Sequence, residues 1–215
     1  IDWNPFFQVW QLRGRYPNRG FPKIFNDETV GAEAKKLFEE AQAMLKMIME
    51  KKRLKLNGLI GFYPANSVGD DIEVYADESR SEKTHTFHTL RQQAEKDVEE
   101  PYMALSDFIA PKSTGVKDYL GMFVATSGIG LDELTAEYKA ANDDYSYIMA
   151  EALADRLAEA FAELMHEQVR KDHWGYAKDE QFNCDDLLKV KYQGIRPAPG
   201  YPSQPDHTEK GTMWD

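Results

Sequence analysis

The sequence has a single cysteine, Cys184, among its 215 residues. An intrachain disulfide is therefore impossible, which is typical of a reducing compartment, and a four-cysteine zinc or iron–sulfur site is excluded. Basic residues are also few, with 26 Lys and Arg against 37 Asp and Glu, which gives a formal net charge of −11. Because phosphate-backbone binding depends on clustered Lys and Arg, this balance disfavours nucleic acid as a partner.

Long apolar runs are missing as well. No stretch of about 18 apolar residues occurs, so a membrane span is not expected, and no signal peptide is recognisable. Apolar residues make up 42% of the chain and the mean hydropathy is −0.63, which predicts a soluble protein with a sizeable core. The length indicates one large domain or two small ones. Because the chain opens with IDWNPFF rather than Met, we interpret it as an excerpt from a longer or processed polypeptide.

Four segments have the periodicity of helices. In residues 31–55 the apolar side chains recur at spacings of three and four, and Asn57-Gly58 is expected to end this helix. A second long helix is predicted over residues 143–171, with two aspartates at its start, where the helix dipole favours anions. Shorter helices are predicted at 131–141 and 179–190.

Four other segments have the composition of strands. Residues 59–65 and 71–76 are short, β-branched and aromatic, and they are separated by NSVGD, which predicts a hairpin. Residues 84–90 alternate and predict a third strand, while residues 118–128 are apolar enough to lie centrally in a sheet. The polar segment 91–100 is predicted to be a loop or a short helix. Clustered strands flanked by helices favour an α+β fold with a mainly antiparallel sheet.

Two motifs of possible chemistry are weak. Residues 127–130, SGIG, follow a predicted strand and precede a helix, but the full glycine motif of a nucleotide loop and a P-loop lysine are both missing, so a plain turn is the simpler interpretation. His85 and His88 point to opposite faces of a predicted strand, and His166 and His173 lie seven residues apart. With no cysteines nearby, no metal site is predicted.

The second long helix carries a row of carboxylates, Glu151, Asp155, Glu159 and Glu163, spaced four apart. Like charges at this spacing each cost a few tenths of a kcal/mol. Arg156 is close enough in sequence to Glu159 and Glu163 to relieve part of the repulsion. The row is either a solvated face or a set of anions that meets a cationic ligand or a partner.

The segment YQGIRPAPGYP, residues 192–202, combines a cation with stiff backbone. Proline fixes φ near −65°, so the Arg196–Pro199 stretch holds its carbonyls and the Ala198 N–H in a nearly fixed extended shape. Gly200 permits a turn or close approach of a ligand. The planar fork of Arg196 matches a carboxylate, and Tyr201 offers a ring and a hydroxyl. The segment is either a preorganised amino-acid or nucleoside site or a rigid connector with a structural salt bridge.

Several of these segments together resemble a known family. IDWNPFF, YPANSVGDDIEVY, LADRLAEAFAE, WGY and YQGIRPAPGYP…HTEK resemble, in order and over nearly the whole chain, the C-terminal activation domain of cobalamin-dependent methionine synthase. RPAPGY is the most specific piece, since it contains the RxxxGY pattern of that domain. The resemblance implies a C-shaped single α+β domain over residues 1–215, with a twisted, mainly antiparallel sheet flanked by long helices.

The resemblance also implies a function. Such a domain binds S-adenosylmethionine and positions it for the reductive methylation of oxidised cobalamin, within an enzyme that makes methionine from homocysteine and methyltetrahydrofolate. Cobalamin and zinc are then bound by other modules of the enzyme. The implied partners are the cobalamin-binding module and a flavodoxin-like reductase, such as methionine synthase reductase or flavodoxin, and the implied location is the cytoplasm. No residue of this chain is expected to act as a covalent nucleophile.

By matching position, the resemblance assigns roles to individual residues. Asp2 is expected to hold the amino end of S-adenosylmethionine, with Glu159 as a second acidic contact. Arg196 is expected to clamp the carboxylate, Ala198 to contact the adenine through its backbone, and Tyr201 to belong to the same motif. Two further residues, Asp155 and His207, are candidates for the face that meets the cobalamin module.

The sequence departs from the family in two places. The family continues through another strand-rich segment with aromatic ligand contacts, whereas this chain stops at Asp215, so we expect an excerpt that lacks the C-terminal end of the domain. Residues 17–24 are longer than in bacterial forms. Two rival functions remain open: an interaction module that docks a flavodoxin-like reductase and the cobalamin domain, and a stand-alone S-adenosylmethionine enzyme. The latter is disfavoured because a glycine-rich motif and a substrate-side base are missing.

Overall fold

A computed structural model describes residues 1–96 and 99–215. In these residues the strands lie between helical segments in the chain, so the predicted α+β class is confirmed. The helices and strands are α1 (Asn4–Val9), α2 (Gly31–Glu50), β1 (Lys55–Val68), β2 (Asp71–Tyr75), β3 (Lys83–His88), β4 (Asp118–Ile129), α3 (Leu131–Ala140), α4 (Asp144–Gln168), α5 (Cys184–Leu188) and α6 (Glu209–Trp214).

The four strands form one sheet in the order β3-β2-β1-β4. The predicted hairpin is confirmed, because β1 and β2 pair antiparallel with Val68 opposite Asp71. The predicted third strand is also confirmed, since β3 pairs antiparallel with β2 and places Phe87 opposite Ile72. The predicted loop or short helix at 91–100 includes residues 97 and 98, which lie outside the described residues.

The strand β4 does not lie where its composition suggested. Its existence is confirmed, but it lies at the edge of the described sheet, beside β1, and not at the centre. Most side chains of β4 are only partly buried or exposed, with Ser127 as its buried residue, and an apolar composition does not require a hydrogen-bonded neighbour on both sides. Composition therefore predicted the strand but not its place in the strand order.

The internal contacts of the chain divide it into two compact units. The first unit contains Ile1–Gly58 and Ala125–Tyr192, and the second contains Leu59–Val124 and Gln193–Asp215. Each unit has its own apolar cluster.

The first unit is built on aromatic and helical packing. Trp3 and Phe6 meet edge to face with ring centroids 5.3 Å apart, and Phe38 of α2 packs on Trp3 at 4.8 Å. Helix α2 buries the face that its periodicity predicted, and α4 adds Met149 and Leu153 to the same cluster. The buried residues of α2 are Gly31, Ala34, Leu37, Ala41, Leu45 and Ile48.

Helix α2 ends earlier than predicted. It stops at Glu50, and Lys52 takes a positive φ of 50°, so the chain leaves the helix before Asn57-Gly58. The Asn-Gly pair lies instead within β1. A side chain at Gly58 would overlap Sδ of Met165 on α4, so this glycine is required by packing and not by a helix stop.

Helix α4 confirms the second long helix and ends in an unusual cluster. Asp143 caps its start by accepting a hydrogen bond from the Ser146 N–H at 3.0 Å. A π turn, Val169–His173, follows the helix and carries Arg170, which is fully buried. The guanidinium of Arg170 donates to both carboxylate oxygens of Glu180 at 2.9 and 2.7 Å and stacks on the Tyr192 ring at 4.0 Å.

Two shorter predictions need correction. The helix predicted at 179–190 is confined to Cys184–Leu188, where Asn183 caps it. The segment after 192, predicted to be loop throughout, contains the helix Glu209–Trp214. Pro205 lies just before this helix and Gly211 lies inside it. Because both residues disfavour helices, the sequence did not indicate this one.

The second unit packs one face of the sheet. Ala65, Ile72, Val74 and Phe87 form its buried cluster, and Met213 of α6 packs against them. Helix α6 also contacts β3, so the chain after residue 202 returns to the sheet. Among the described residues, no helix combines the length and apolarity needed to cross a membrane.

Candidate functional site

The loop that carries Arg196 is held in a compact turn in the second unit. The Gly200 N–H donates to the Gln204 carbonyl at 2.7 Å, and the Gln204 N–H donates back to the Tyr201 carbonyl at 2.9 Å. The Tyr201 N–H reaches the Ala198 carbonyl at 3.4 Å. These bonds fix the backbone of residues 198–204, and Gln204 is buried although sequence reasoning attached no role to it.

The backbone conformation of Gly200 favours glycine at this position. Its φ is +99°, a conformation that residues with a side chain rarely adopt, and a Cβ there would overlap the His207 ring. The His207 ring therefore lies directly against the backbone of the turn. Its Nδ1 accepts a hydrogen bond from Lys210 Nζ at 3.1 Å. The structure thus brings His207 and the RPAPGY turn together.

The predicted ligand residues of the loop differ in exposure. Arg196 is half-buried, whereas Ala198 and Tyr201 are exposed, with 63% of Tyr201 accessible to solvent. A half-buried guanidinium next to an exposed backbone segment and ring can offer charge, amide and aromatic contacts to one small ligand.

A short turn after the loop starts α6. Asp206 Oδ1 accepts hydrogen bonds from the Thr208 N–H at 2.8 Å and the Thr208 hydroxyl at 2.7 Å. The Thr208 hydroxyl, followed by its N–H, holds the pKa of Asp206 below its ordinary value. This anion stabilises the turn that carries His207.

Asp2 lies at the start of α1 in the first unit. Its Oδ1 accepts hydrogen bonds from the Asn4 N–H and from Asn4 Nδ2, both at 3.0 Å. Asn4 in turn accepts the Phe21 N–H at 2.8 Å through Oδ1. The carboxylate of Asp2 is thus oriented by one oxygen, while Oδ2 accepts no hydrogen bond from the described residues.

The row of carboxylates on α4 is largely solvent-facing, with Glu151, Asp155 and Glu159 all exposed. The role suggested for Arg156 needs correction, because its guanidinium pairs with the neighbouring Asp155. Among the described residues, Asp155 is the carboxylate within ion-pair distance of Arg156. Asp155 and Glu159 lie one helical turn apart on the same side of α4.

The SGIG segment and the histidines are the weaker motifs of the sequence. Ser127, Gly128 and Ile129 are the last residues of β4, and Gly130, with a φ of +94°, makes the turn into α3, which is close to the simpler interpretation. Across residues 1–96 and 99–215, no group of three or more His, Cys, Asp or Glu side chains is arranged to hold a metal ion.

Taken together, the fold and the RPAPGY turn define an α+β module with a preorganised polar loop, and comparisons with known proteins agree. A family model described as the activation domain of vitamin B12 dependent methionine synthase matches residues 1–215. The chain belongs to this family, whose parent enzyme is a methyltransferase.

A solved structure is similar over the whole chain. It is a crystal structure of the MetH reactivation domain bound to AdoHcy, with a TM-score of 0.90 and 50% sequence identity. The match covers 100% of this chain and 64% of that one, so this chain spans somewhat under two thirds of the length of that protein.

Proposed function

We propose that this chain binds S-adenosylmethionine and serves as the reactivation module of cobalamin-dependent methionine synthase. The observation that carries the proposal is the AdoHcy bound to a domain that is 50% identical and has a TM-score of 0.90. AdoHcy is what remains of S-adenosylmethionine after its methyl group has been transferred. A domain that binds the product of a transfer offers most of the same contacts to the methyl donor.

The charges of the candidate residues fit this ligand. S-adenosylmethionine carries an ammonium, a sulfonium and a carboxylate, and the candidates are two anions, Asp2 and Glu159, and one cation, Arg196. Opposite charges favour binding and orient the ligand, because each charged group of the ligand has one complementary side chain.

In this proposal the loop recognises the carboxylate and the adenine. Arg196 binds the carboxylate through its planar fork, a geometry that a lysine ammonium does not reproduce. Ala198 contacts the adenine through its backbone, and the exposed ring of Tyr201 lies three residues further along. The hydrogen bonds of the turn, with Gly200 packed on His207, reduce the entropy lost when the ligand binds.

Two carboxylates complete the proposed recognition. Asp2 is oriented by Asn4 through Oδ1, which leaves Oδ2 for the amino group of the ligand. Glu159 is exposed on α4 and supplies the second acidic contact. Asp155 and His207 are proposed to face the cobalamin module, and the packing of His207 on Gly200 would link that face to the ligand loop.

The chemistry of the whole enzyme follows from this assignment as part of the proposal. S-adenosylmethionine supplies the methyl group that restores cobalamin after oxidation, with an electron from a flavodoxin-like reductase, so that homocysteine methylation can resume. Cobalamin and zinc are held by other modules of the enzyme, in the cytoplasm. The residues of this chain bind and orient the methyl donor, and their contribution is proximity.

Titration calorimetry of the chain with S-adenosylmethionine tests the proposal. Arg196→Ala is expected to lose about 2–5 kcal/mol of binding free energy, because the ligand carboxylate loses a desolvated partner. Arg196→Lys should recover only part of this loss. Arg15→Ala is the matched control, since it removes an exposed guanidinium from the other unit and the hydrogen bonds of Arg15 within the described residues use only its backbone N–H and carbonyl.

Two outcomes would contradict the proposal. Affinity of the Arg196→Ala variant within twofold of the wild type removes Arg196 from the binding residues. No binding down to about millimolar affinity, which is only about 4 kcal/mol, by a wild-type chain extended past Asp215 favours the alternative of a pure interaction module for the reductase and the cobalamin domain.

The role of Asp2 has a separate test. Asp2→Asn is expected to weaken binding of S-adenosylmethionine more than binding of an analogue without the amino group. Equal losses for the two ligands would show that Asp2 does not bind the ammonium. Calorimetry with both ligands on the same variant supplies the comparison.

A further inference from the structure

A basic segment in the first unit has no role in the proposed function. Residues 13–23, RGRYPNRGFPK, contain Arg13, Arg15, Arg19 and Lys23, and no acidic residue occurs between Asp2 and Asp27. We call residues 13–23 the basic loop. In a chain of net charge −11, this loop is a local concentration of positive charge.

Backbone contacts give the basic loop a defined shape. The Arg15 N–H donates to Asp27 Oδ2 at 2.6 Å, and the Phe21 N–H donates to Asn4 Oδ1 at 2.8 Å. The Asn18 side-chain amide donates to the Asn26 carbonyl at 3.1 Å. Since none of these bonds uses a charged group of the loop, its shape does not depend on the cations.

The cations themselves are unpaired within the described residues. No ion pair joins Arg13, Arg15, Arg19 or Lys23 to a carboxylate in residues 1–96 and 99–215. The closest acidic residue in the sequence, Asp27, is buried and accepts hydrogen bonds from backbone and hydroxyl donors. Arg53, Arg91 and Arg156 each pair with a carboxylate, whereas the arginines of the basic loop do not. Unpaired arginines in a loop of fixed shape are available to an external anion.

A cavity of about 270 Å³ provides the space for that anion. It is lined by Asn4, Phe7, Gln8, Leu12, Arg13, Arg19 and Ile24. Arg13 and Arg19 thus share a cavity whose other polar side chains are uncharged amides. Its volume equals that of roughly nine water molecules and lies just below the range of drug-sized ligand pockets. A phosphate group with a small substituent fits, whereas S-adenosylmethionine is too large.

We propose that this cavity binds a small anion through a phosphate group, with Arg13 and Arg19 as its cationic ligands. Arginine forks match the oxygens of phosphate, and such charge-assisted hydrogen bonds are among the strongest in proteins. The Gln8 side-chain amide is a further donor to the same group. The cationic ligands of this cavity are not among the residues proposed to bind S-adenosylmethionine, although Asn4, which lines the cavity, also donates hydrogen bonds to Asp2.

Titration calorimetry of the full chain with inorganic phosphate and pyrophosphate at physiological salt tests the proposal. The wild type is expected to bind pyrophosphate more tightly than phosphate. The double variant Arg13→Ala/Arg19→Ala should weaken pyrophosphate binding at least about tenfold, the factor expected from one lost charge-assisted hydrogen bond. Melting curves without ligand check that this variant remains folded.

A second double variant distinguishes binding in the cavity from attraction by the overall positive charge of the basic loop. Arg15→Ala/Lys23→Ala removes the same charge from the same loop but spares the residues that line the cavity. Its affinity for pyrophosphate is expected to stay within about threefold of the wild type, because long-range charge effects are largely screened at this salt concentration. Equal losses in the two double variants, or no pyrophosphate binding by the wild type, would overturn the proposal.

The source of the phosphate group is a further question for the same variants. Vesicles that contain phosphatidic acid present the group at a membrane surface, while pyrophosphate presents it free in solution. Binding of pyrophosphate that is lost in the Arg13→Ala/Arg19→Ala variant, without vesicle binding, supports a free ligand. Vesicle binding that is lost in this variant, but not in Arg15→Ala/Lys23→Ala, supports a lipid headgroup. Vesicle binding without pyrophosphate binding contradicts the proposed binding of a small anion in the cavity.

Discussion

Two loops of this protein have similar residue types but are held in shape by different contacts. Both the basic loop and the RPAPGY turn combine arginine with proline and glycine, and each is followed by an Asp-x-Thr turn that precedes a helix. The two turns have almost the same geometry. Asp27 Oδ1 accepts the Thr29 N–H at 2.9 Å and the Thr29 hydroxyl at 2.7 Å, and Asp206 makes the equivalent bonds to Thr208 at 2.8 and 2.7 Å.

The difference lies in the second oxygen of each aspartate. Asp27 is buried and uses Oδ2 to accept the Arg15 N–H, twelve residues earlier, so its carboxylate ties the basic loop to the start of α2. Asp206 is exposed and its hydrogen bonds stay within the turn. The RPAPGY turn is fixed instead by prolines, by its own backbone bonds and by Gly200 against His207. The shape of the basic loop therefore depends on the carboxylate of Asp27, whereas the shape of the RPAPGY turn does not depend on a charged group.

Among variants of the two loops, the largest expected effect on stability comes from Gly14 in the basic loop. A side chain at this buried glycine would overlap the Asn18 carbonyl oxygen, which is backbone and cannot rotate away. We expect Gly14→Ala to lower the free energy of unfolding by about 1–3 kcal/mol, as overpacking does elsewhere. Chemical denaturation measures the change, and an unchanged midpoint would show that the loop is less constrained than its hydrogen bonds suggest.

The equivalent change in the other loop is expected to be smaller. Gly200→Ala places a side chain at a φ of +99°, which costs about 1–2 kcal/mol, but the His207 ring that it meets is an exposed side chain and can move. The double variant Gly200→Ala/His207→Ala removes the overlap and leaves the backbone strain. If the double variant were as stable as His207→Ala alone, the positive φ would not be the cause of the stability lost in Gly200→Ala.

A third comparison uses the two aspartates. Asp27→Asn keeps one acceptor oxygen but loses the charge, so we expect a lower melting temperature than for Asp206→Asn, whose bonds are local and exposed. Thermal melts of both variants at neutral pH measure the difference. Equal shifts would show that the bond to Arg15 contributes nothing beyond the Asp-x-Thr turn itself.

The smallest expected effect is on the acid limb of the stability curve. The Arg15 N–H, followed by the Thr29 hydroxyl and N–H, holds the pKa of Asp27 well below its ordinary value. Because the folded pKa is the lower one, this stabilisation is present above about pH 4 and is lost as the pH falls below it. Between about pH 5 and 3, the melting temperature should therefore change less with pH for Asp27→Asn than for the wild type. A parallel pH dependence would rule out Asp27 as a contributor.

Much of the fold could be predicted from the sequence because its elements follow simple periods. The α2 and α4 helices repeat apolar residues every three or four positions, and the β1–β2 hairpin alternates around a short turn. Strand order could not be predicted, since the apolar composition of β4 does not indicate whether the strand has one hydrogen-bonded neighbour or two. Helix α6 was missed because it is short and contains Gly211.

The candidate residues are a different case. Spacing and charge could single out Arg196 and the carboxylates of α4, but only the family resemblance could assign them to a ligand, and those assignments stay predictions. Packing interactions left no signal in the sequence: nothing indicated that His207 lies on Gly200, or that Asp27 reaches Arg15. Contacts of this kind join residues seven or twelve positions apart through geometry that no local pattern encodes.

The buried pair of Arg170 and Glu180 has a consequence for how this protein can change over time. Each side chain is almost fully inaccessible, so either one alone would leave a charge inside the protein without its counterion. Loss of one partner of such a pair typically costs about 3–5 kcal/mol, whereas replacement of both by apolar residues is often tolerated. Positions 170 and 180 are therefore expected to change together during evolution. A substitution at only one of the two positions gives a destabilised protein.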